Sequence, residues 1–330
     1  MSHTSSMKKQ NGQSPYRNKR VLVTGADGFI GSHLAARLVH VGANVSASVH
    51  SAKDNWRLAS VEEQIQVHAG DLSDKDTARR ILKTSKPEIV FNVAGSVNTK
   101  RDLSVMDDVL LNTYGLTHAT LLASLEAGVE NFVQFGTYEE YGAAKAPFAE
   151  SAHEEAVSPY SLGKLMSTNE VRVVARLKGI RATIVRPAAT FGPMQGFGML
   201  IPNLIQSGLR GSDFDMNGGE QIRDFVYIND LVDGVILAGA AEGAAGEIVN
   251  LGGNRGIRIR DVAEMVNEAM GNPITIHFGA LPYRDPGSKE FYMDSTKAKK
   301  ILGWSAKTPL KDAISETVAW YREHLNEMLS

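Results

Sequence analysis

Cysteine is absent from the 330-residue sequence, the opposite charges nearly cancel, and no long apolar run occurs. Without cysteine, the protein has no disulfides, cysteine-ligated zinc sites, iron–sulfur clusters or thiol nucleophiles. Because 35 Lys and Arg residues face 37 Asp and Glu residues, net charge gives no general attraction to nucleic acid or anionic lipid. No apolar run approaches the roughly 18 residues that a membrane-spanning helix needs. These absences predict a cytoplasmic protein that binds neither nucleic acid nor a membrane.

The first 18 residues, MSHTSSMKKQNGQSPYRN, are polar and basic. A secretory signal peptide requires a continuous apolar stretch in this region, and the sequence has none there. We therefore predict that residues 1–18 form a disordered leader.

Short apolar runs alternate with segments of helical periodicity from residue 19 onwards. The run VLVTG is followed by Ile30, Leu34 and Leu38 at helical spacing, and EIVFNVAG and NFVQFGT are later runs of the same kind. Continuous apolar runs indicate strands that are buried on both faces, and their alternation with helices indicates a parallel sheet. We predict an α/β fold with a doubly wound sheet over 19–190, to which parts of 224–255 return, and a smaller C-terminal lobe over 191–330.

Three glycines lie between the first predicted strand and the first predicted helix, in TGADGFIG. Gly25 permits a tight turn, Gly28 lets a pyrophosphate approach the backbone, and Gly31 lets the helix pack on the sheet. The helix N-terminus then offers free N–H groups to phosphate. The spacing is G-x-x-G-x-x-G rather than the commoner G-x-G-x-x-G. It predicts a Rossmann-type dinucleotide site, and a glycine-rich turn without a ligand is the alternative.

The end of the second predicted strand bears on the choice between NAD and NADP. An acidic residue there would bind the ribose 2′-hydroxyl of NAD. Instead Val49 is followed by His50, Ser51 and Lys53. Cationic and hydroxyl groups suit a 2′-phosphate, so this edge favours NADP, with Asp54 as the competing candidate for NAD.

Tyr160 and Lys164 lie four residues apart in a predicted helix that begins after Pro159. This spacing places both side chains on one face. A nearby ammonium lowers the pKa of a phenol, which can then exchange a proton with a carbinol during hydride transfer. Thr137 ends the fifth predicted strand, where its hydroxyl could reach the same oxygen, and Asn112 is a polar residue inside a long helix. The alternative is a core tyrosine beside a solvated lysine.

Several motifs occur in the order typical of the extended short-chain dehydrogenase/reductase family: TGADGFIGSHL, Asp71-Leu72, NVAG, Asn112, GTYEEYG, SPYSLGK and RPAATFGP. The chain most resembles the nucleotide-sugar epimerase/dehydratase group, and the similarity continues through DSTKAKKILGW, covering residues 19–322. The resemblance implies an NAD(P)-dependent enzyme that oxidises a hydroxyl of a nucleotide-diphosphate sugar, usually at C4. It implies Tyr160 as the base, Lys164 as its electrostatic partner and ribose anchor, and Thr137 as an assisting hydroxyl.

The residue patterns and the resemblance together predict the contacts of both ligands. The predicted cofactor contacts are Gly25, Gly28, Phe29, Ile30, Gly31, His50, Ser51, Lys53, Asp71, Leu72, Val93, Ala94, Gly95, Asn112, Tyr160, Lys164 and Pro187. The predicted substrate contacts are Asn98, Thr137, Tyr138, Arg223 and Arg284. The two arginines match positions at which the family binds the diphosphate, which suits guanidinium geometry. No metal site is predicted.

The reaction that follows C4 oxidation stays open at this point. Glu139 matches the position of the C5 base in dehydratases, but Tyr138 replaces the acid that many of them carry. The segment 139–142 also resembles some NADPH-dependent 4-keto-6-deoxy nucleotide-sugar reductases. After Arg186-Pro187, Ala188-Ala189 lacks the Asn of many epimerases. An epimerase or dehydratase is therefore the expectation, with the reductase as the alternative.

Two further expectations concern the class and the assembly of the protein. A dinucleotide-binding sensor without turnover is the alternative outside enzymology, but such a sensor needs no proton-transfer group such as Tyr160. Family dimers pack two helices per subunit into a four-helix bundle, which here would involve roughly Val105–Ala127 and Pro159–Lys178. The resemblance therefore implies a homodimer, and a monomer in which both helices merely cover the sheet is the alternative.

Overall fold

The computed structural model describes residues 14–53, 55–98, 100–283 and 289–329. Its strands are β1 (Arg20–Thr24), β2 (Asn44–Val49), β3 (Ile65–Ala69), β4 (Ile89–Asn92), β5 (Asn131–Phe135), β6 (Arg181–Pro187), β7 (Ala189–Phe191), β8 (Phe214–Met216), β9 (Ile222–Arg223), β10 (Phe225–Tyr227), β11 (Ile248–Leu251), β12 (Ile257–Arg258), β13 (Ile276–Phe278) and β14 (Glu290–Phe291). Its helices are α1 (Phe29–His40), α2 (Lys75–Ser85), α3 (Met106–Leu110), α4 (Leu116–Glu126), α5 (Pro159–Lys178), α6 (Leu200–Arg210), α7 (Ile228–Ala240), α8 (Ile259–Met270), α9 (Thr296–Leu302) and α10 (Leu310–Leu329).

A parallel sheet of seven strands forms the centre of the fold, in the order β11-β6-β5-β4-β1-β2-β3. Side chains alternate across it, as β1 shows: Val21 and Val23 belong to the hydrophobic core beneath α1 and α7, and Leu22 belongs to the core beneath α2 and α4. Both faces are therefore buried, which explains the uninterrupted apolar run in VLVTG. The predicted α/β class with a doubly wound sheet is confirmed.

The strand order reverses beside β1, because the chain continues from β1 to β2 on one side and from β4 to β5 on the other. The carboxyl ends of β1 and β4 are neighbours, with Thr24 opposite Asn92. The Thr24 hydroxyl donates to Asn92 Oδ1 at 3.0 Å and accepts the backbone N–H of Ala94 at 3.0 Å. Ligands of open α/β sheets bind at such a reversal, so this crevice is where the fold places a site.

Smaller sheets follow β6 in the chain and make up the C-terminal lobe. β7 pairs with β10, β8 pairs with β13, and β9 lies between β12 and β14. α6, α8 and α10 pack against one another behind them. β11 leaves this lobe and pairs with β6 at the edge of the central sheet.

The predicted leader differs from the structure at its end. Residues 1–13 lie outside the described residues, but Tyr16 is fully buried and packs beside Phe91, with ring centroids 6.1 Å apart. Its hydroxyl donates to the Ile236 carbonyl of α7 at 2.7 Å. The prediction of a disordered leader was therefore wrong for residues 14–18. The Tyr16 side chain, which is buried in the core, fixes this polar segment in place.

The sequence predicts neither a membrane-spanning helix nor a metal site. Among the helices of the described ranges, none has the length and apolar character needed to cross a membrane. The same ranges contain no group of three or more His, Asp or Glu residues placed to hold a metal ion. The cytoplasmic location stays a prediction.

Candidate active site

The glycine turn connects β1 to α1 at the crevice. Gly25 has a φ of +61°, and a Cβ there would lie 2.8 Å from the Ala94 Cα. A Cβ at Gly31 would lie 2.0 Å from the Gly25 carbonyl oxygen. No side chain caps the N-terminus of α1, since Gly28 occupies the N-cap position. The turn therefore leaves the space in front of the N-terminus of α1 free of side chains. The first N–H groups of the helix face this space, and a pyrophosphate binds in such an arrangement.

A cleft of about 440 Å³ lies above this turn and receives most of the predicted cofactor residues. The predicted residues that line it are Gly25, Gly28, Phe29, Ile30, Gly31, His50, Asp71, Leu72, Val93, Ala94, Gly95 and Asn112. The lining residues that sequence reasoning missed are Asp27, Ser48, Val49, Gly70, Ser96, Val97 and Leu116. Most of the missed residues are chain neighbours of predicted ones at strand ends, so the order of the strands in the sheet, rather than another motif, identifies them.

Five predicted cofactor residues are not among those that line the cleft. Ser51 and Lys53 are exposed beyond the end of β2. Pro187 ends β6, while Tyr160 and Lys164 are buried on α5 beside the cleft.

The end of β2 carries a carboxylate that comes from the glycine turn. Asp27 Oδ2 accepts the backbone N–H of His50 at 3.4 Å. Arg57 Nη1 donates to the Asp27 carbonyl at 3.3 Å, and Arg57 Nε donates to the Met194 carbonyl at 2.9 Å. Asp54, the acidic candidate from the sequence, lies outside the described residues. An acidic group therefore reaches the edge where the ribose of a dinucleotide would lie, although from another segment.

α5 positions Tyr160 and Lys164. Ser158 caps the helix by accepting the Ser161 N–H at 3.1 Å, and Pro159 occupies its first position. Proline suits that position because its missing N–H would be unpaired there anyway. Tyr160 in the first turn and Lys164 one turn later therefore lie on one face, and both are buried.

Three observations place this pair between the cleft and the end of β5. The Lys164 ammonium donates to the Phe135 carbonyl at 2.9 Å. A Cβ built on Gly95, which lines the cleft, would lie 3.4 Å from Lys164 Nζ. The Thr137 hydroxyl, at the end of β5, acts on the Tyr160 phenol and lowers its pKa, so the two side chains lie close together. The three residues predicted from the sequence therefore lie near one another, beside the cleft.

The direction of the Tyr160 pKa differs from the prediction. Burial raises the pKa of the phenol, and the charge of Glu139 raises it further. Burial also lowers the pKa of the Lys164 ammonium to about 8. Desolvation was not visible in the sequence, and it is the largest influence on the pKa of this phenol. Positive charge added near the phenol would lower its pKa.

Glu139 follows Thr137 in the short helix Tyr138–Tyr141. Burial raises the pKa of its carboxyl, and the charges of Arg101 and Arg223 oppose that shift. Tyr138 lies edge-on against Phe291, with ring centroids 4.9 Å apart, and burial raises its pKa also. Arg101 was missed from the sequence because its loop carries no pattern that relates it to Glu139. The Glu139 carboxyl therefore lies within electrostatic range of two guanidinium groups and of the Tyr160 phenol.

The remaining predicted residues are distributed as follows. The Arg223 guanidinium lies 5.7 Å from the Phe291 ring centroid, and it donates to the Ile222 carbonyl at 2.8 Å. Asn98 accepts the Lys100 N–H at 3.2 Å in the loop after β4. Asn112 lies in a π-helical turn, where its amide donates to Asp108 Oδ1 at 2.8 Å. Arg284 lies outside the described residues.

Substitution of Gly31 tests the cleft as a dinucleotide site. We expect Gly31→Ala to weaken NAD binding about 10- to 100-fold, because overpacking costs about 1–3 kcal/mol and would push α1 away from the turn. Titration calorimetry with NAD measures the change. Gly243→Ala is the matched control, since a Cβ at Gly243 meets nothing within 4 Å. Equal NAD affinity of the two variants would contradict the assignment of the cleft.

Comparison with known families and sequences agrees with this geometry. The model of the NAD dependent epimerase/dehydratase family matches residues 21–252. The bovine dTDP-D-glucose 4,6-dehydratase is 29% identical over 325 residues, covering 93% of this chain and 90% of the relative. The UDP-glucose 4-epimerase of Mycolicibacterium smegmatis is 30% identical over 315 residues, covering 92% of this chain and 98% of the relative. The relatives therefore include both an epimerase and a dehydratase.

Solved structures of other proteins are similar to this chain in fold. A UDP-glucose 4-epimerase from Thermotoga maritima with UDP-glucose has a TM-score of 0.86 at 26% identity, covering 92% of this chain and 99% of that one. A dTDP-glucose 4,6-dehydratase from Streptomyces venezuelae with NAD bound has a TM-score of 0.84 at 27% identity, covering 93% and 98%. The expectation of NADP finds no support among them. The chain belongs to the NAD dependent epimerase/dehydratase family.

Proposed function

We propose that the protein is a nucleotide-sugar 4,6-dehydratase that acts through a 4-keto sugar. The observation that carries this choice is the Glu139 carboxylate, which is half-buried in the short helix Tyr138–Tyr141 and whose charge acts on the Tyr160 phenol. An epimerase has no need of a second base beside the tyrosine, whereas dehydration does. The family membership and the named relatives support the substrate class.

The residues fit the following division of roles. Thr137 orients the C4 hydroxyl of the sugar, and Tyr160 takes the proton of that hydroxyl while Lys164 stabilises the phenolate. The cleft above the glycine turn would hold NAD, which would supply reversible hydride chemistry between C4 and C6. The ketone makes the C5 proton acidic, so Glu139 can remove it as the C6–O bond breaks. Glu139 can then return this proton to C5 when C6 receives the hydride. Tyr138 retains its proton, since burial raises its pKa, and is assigned as the donor to the leaving C6 oxygen.

The experiment for this proposal is incubation of the protein and NAD with dTDP-glucose and with UDP-glucose. We expect a 4-keto-6-deoxy product, one water lighter by mass spectrometry, without any added reductant. Interconversion of C4 epimers would instead show an epimerase. Consumption of added NADPH by a 4-keto-6-deoxy sugar would show the reductase. Either outcome would replace the proposal.

NAD is the cofactor that the site favours. The Asp27 carboxylate lies at the end of β2, where it would repel a ribose 2′-phosphate but can accept a hydrogen bond from a 2′-hydroxyl. We expect NAD to bind more tightly than NADP, and Asp27→Asn to narrow the difference about tenfold, which is about 1.4 kcal/mol. Titration of both dinucleotides against both proteins measures this. Tighter binding of NADP to the unaltered protein would refute it.

We also propose a homodimer, with α4 and α5 and the residues before them at its interface. Large apolar side chains there are exposed, namely Leu103 at 78%, Leu111 at 56%, Val173 at 52% and Leu177 at 73%. Large apolar side chains that are exposed on neighbouring helices are typical of a surface that a second copy covers. Sedimentation should give a mass of two chains, and Leu177→Glu should shift it toward one. A monomeric mass of the unaltered protein would disprove the dimer.

A further inference from the structure

A buried ion pair lies beneath the Thr137–Tyr141 segment, outside the chemistry just described. Glu140 and Arg186 are both fully buried. Arg186 Nη2 lies 2.6 Å and Arg186 Nε lies 3.1 Å from Glu140 Oε2. Arg186 Nη2 also lies 3.0 Å from Glu154 Oε1. Burying two charges carries a desolvation cost that their attraction often fails to offset, so stability alone is a weak explanation for this pair.

The second oxygen of Glu140 is directed at the active site. Glu140 Oε1 accepts the backbone N–H of Thr137 at 2.8 Å. Arg186 holds Oε2, which fixes the plane of the carboxylate and leaves Oε1 for Thr137. A Cβ at Gly136 would lie 2.3 Å from Glu140 Oε1, so the carboxylate packs directly against the backbone that precedes Thr137. The absence of a side chain at Gly136 therefore leaves space for this carboxylate.

Thr137 connects the ion pair to the reacting group. Its backbone N–H is held by Glu140. Its side chain lies close enough to the Tyr160 phenol to lower the pKa of that group. A buried N–H that loses its acceptor must find another one, and the loop would move to provide it. Displacement of a catalytic group by about 1 Å can lower a rate by about 10²-fold.

We propose that Glu140 is a positioning residue, which fixes Thr137 against Tyr160 for removal of the proton of the sugar hydroxyl. This inference rests on the proposed function. The adjacent carboxylates Glu139 and Glu140 then have different tasks: Glu139 faces the substrate, and Glu140 anchors the segment that carries Thr137.

Two double variants isolate the anchoring contact. Both Glu140→Gln/Arg186→Met and Glu140→Met/Arg186→Met remove the ion pair and have similar volume. They differ in one respect, since glutamine still offers an oxygen to the Thr137 N–H and methionine does not. We expect the glutamine variant to keep kcat within about fivefold of the unaltered enzyme, and the methionine variant to lose about 30-fold or more, with KM within about threefold in both.

Equal kcat values for the two double variants would overturn the proposal, because the acceptor would then be irrelevant. Glu154→Gln is the control: Glu154 contacts Arg186 but not Thr137, so kcat should stay within about twofold. A loss there as large as in the methionine variant would also overturn it. If the methionine variant fails to fold, Glu140→Asp replaces it, since it keeps the charge but withdraws the oxygen. An unchanged kcat in that variant would again overturn the proposal.

Hydrogen exchange of the Thr137 amide separates this proposal from the proposed function. The amide should be protected in the unaltered protein and in the glutamine variant, and should exchange faster in the methionine variant. This readout needs no substrate, so absence of turnover by the unaltered protein would refute the proposed function without deciding the role of Glu140. Equal exchange in all three proteins would refute the anchor.

Discussion

Replacing Tyr160 by phenylalanine is expected to lower kcat about 10²- to 10⁴-fold while NAD binds as before. The variant removes only the hydroxyl beside Thr137 and keeps the ring in the first turn of α5. Without the hydroxyl, the C4 oxygen loses the base that we propose for it. Steady-state rates with a nucleotide sugar, together with NAD titration, measure the two effects separately.

Tyr16→Phe is the matched control for this substitution. Tyr16 is also fully buried, and its hydroxyl donates to a carbonyl of α7, far along the chain from the active-site segments. We expect it to lower the free energy of unfolding by about 1 kcal/mol and to leave kcat unchanged. If Tyr160→Phe behaved in the same way, the assignment of the base would be wrong.

Replacing Glu139 by glutamine is expected to lower formation of the 4-keto-6-deoxy product about 10²-fold or more, because the C5 proton loses its base. Oxidation at C4 should persist, since Thr137, Tyr160 and Lys164 are unaltered. Reduced nicotinamide should therefore accumulate on the enzyme after mixing with substrate, and its near-ultraviolet absorbance follows this directly. The two halves of the reaction would be separated by one substitution.

The control for this second substitution is Glu316→Gln. Glu316 accepts the Tyr227 hydroxyl at 2.7 Å in the C-terminal lobe and lies outside the active-site segments. Its variant should make product at the normal rate and accumulate no reduced nicotinamide. A normal product rate in Glu139→Gln would show that another group removes the C5 proton, and dehydration through Glu139 would be abandoned.

The sequence predicted features whose causes are local. Gly25 needs a positive φ, and Pro159 after a capping serine begins a helix at that point, so the dinucleotide turn and α5 could be located from neighbouring residues alone. The doubly wound sheet followed from apolar runs such as VLVTG. In each case the residues that indicate the turn, helix or strand lie within that element or directly beside it in the chain.

The features that the sequence did not predict depend on distant contacts. Asp27 reaches the end of β2 only because β1 and β2 are paired, and Arg186 meets Glu140 across 46 positions of the chain. The raised pKa of Tyr160 comes from burial, which spacing does not reveal. Tyr16 was assigned to a leader because its contact on α7 lies 220 positions away. These parts of the site therefore depend on tertiary packing between distant segments of the chain.

The central claim, that the enzyme transfers the C4 hydrogen of a nucleotide hexose to C6, is tested most directly with dTDP-glucose deuterated at C4. We predict slower turnover of the labelled substrate and deuterium at C6 of the product, with none released to water. Deuterium that stays at C4, or product that forms at the same rate without the label at C6, would contradict this account.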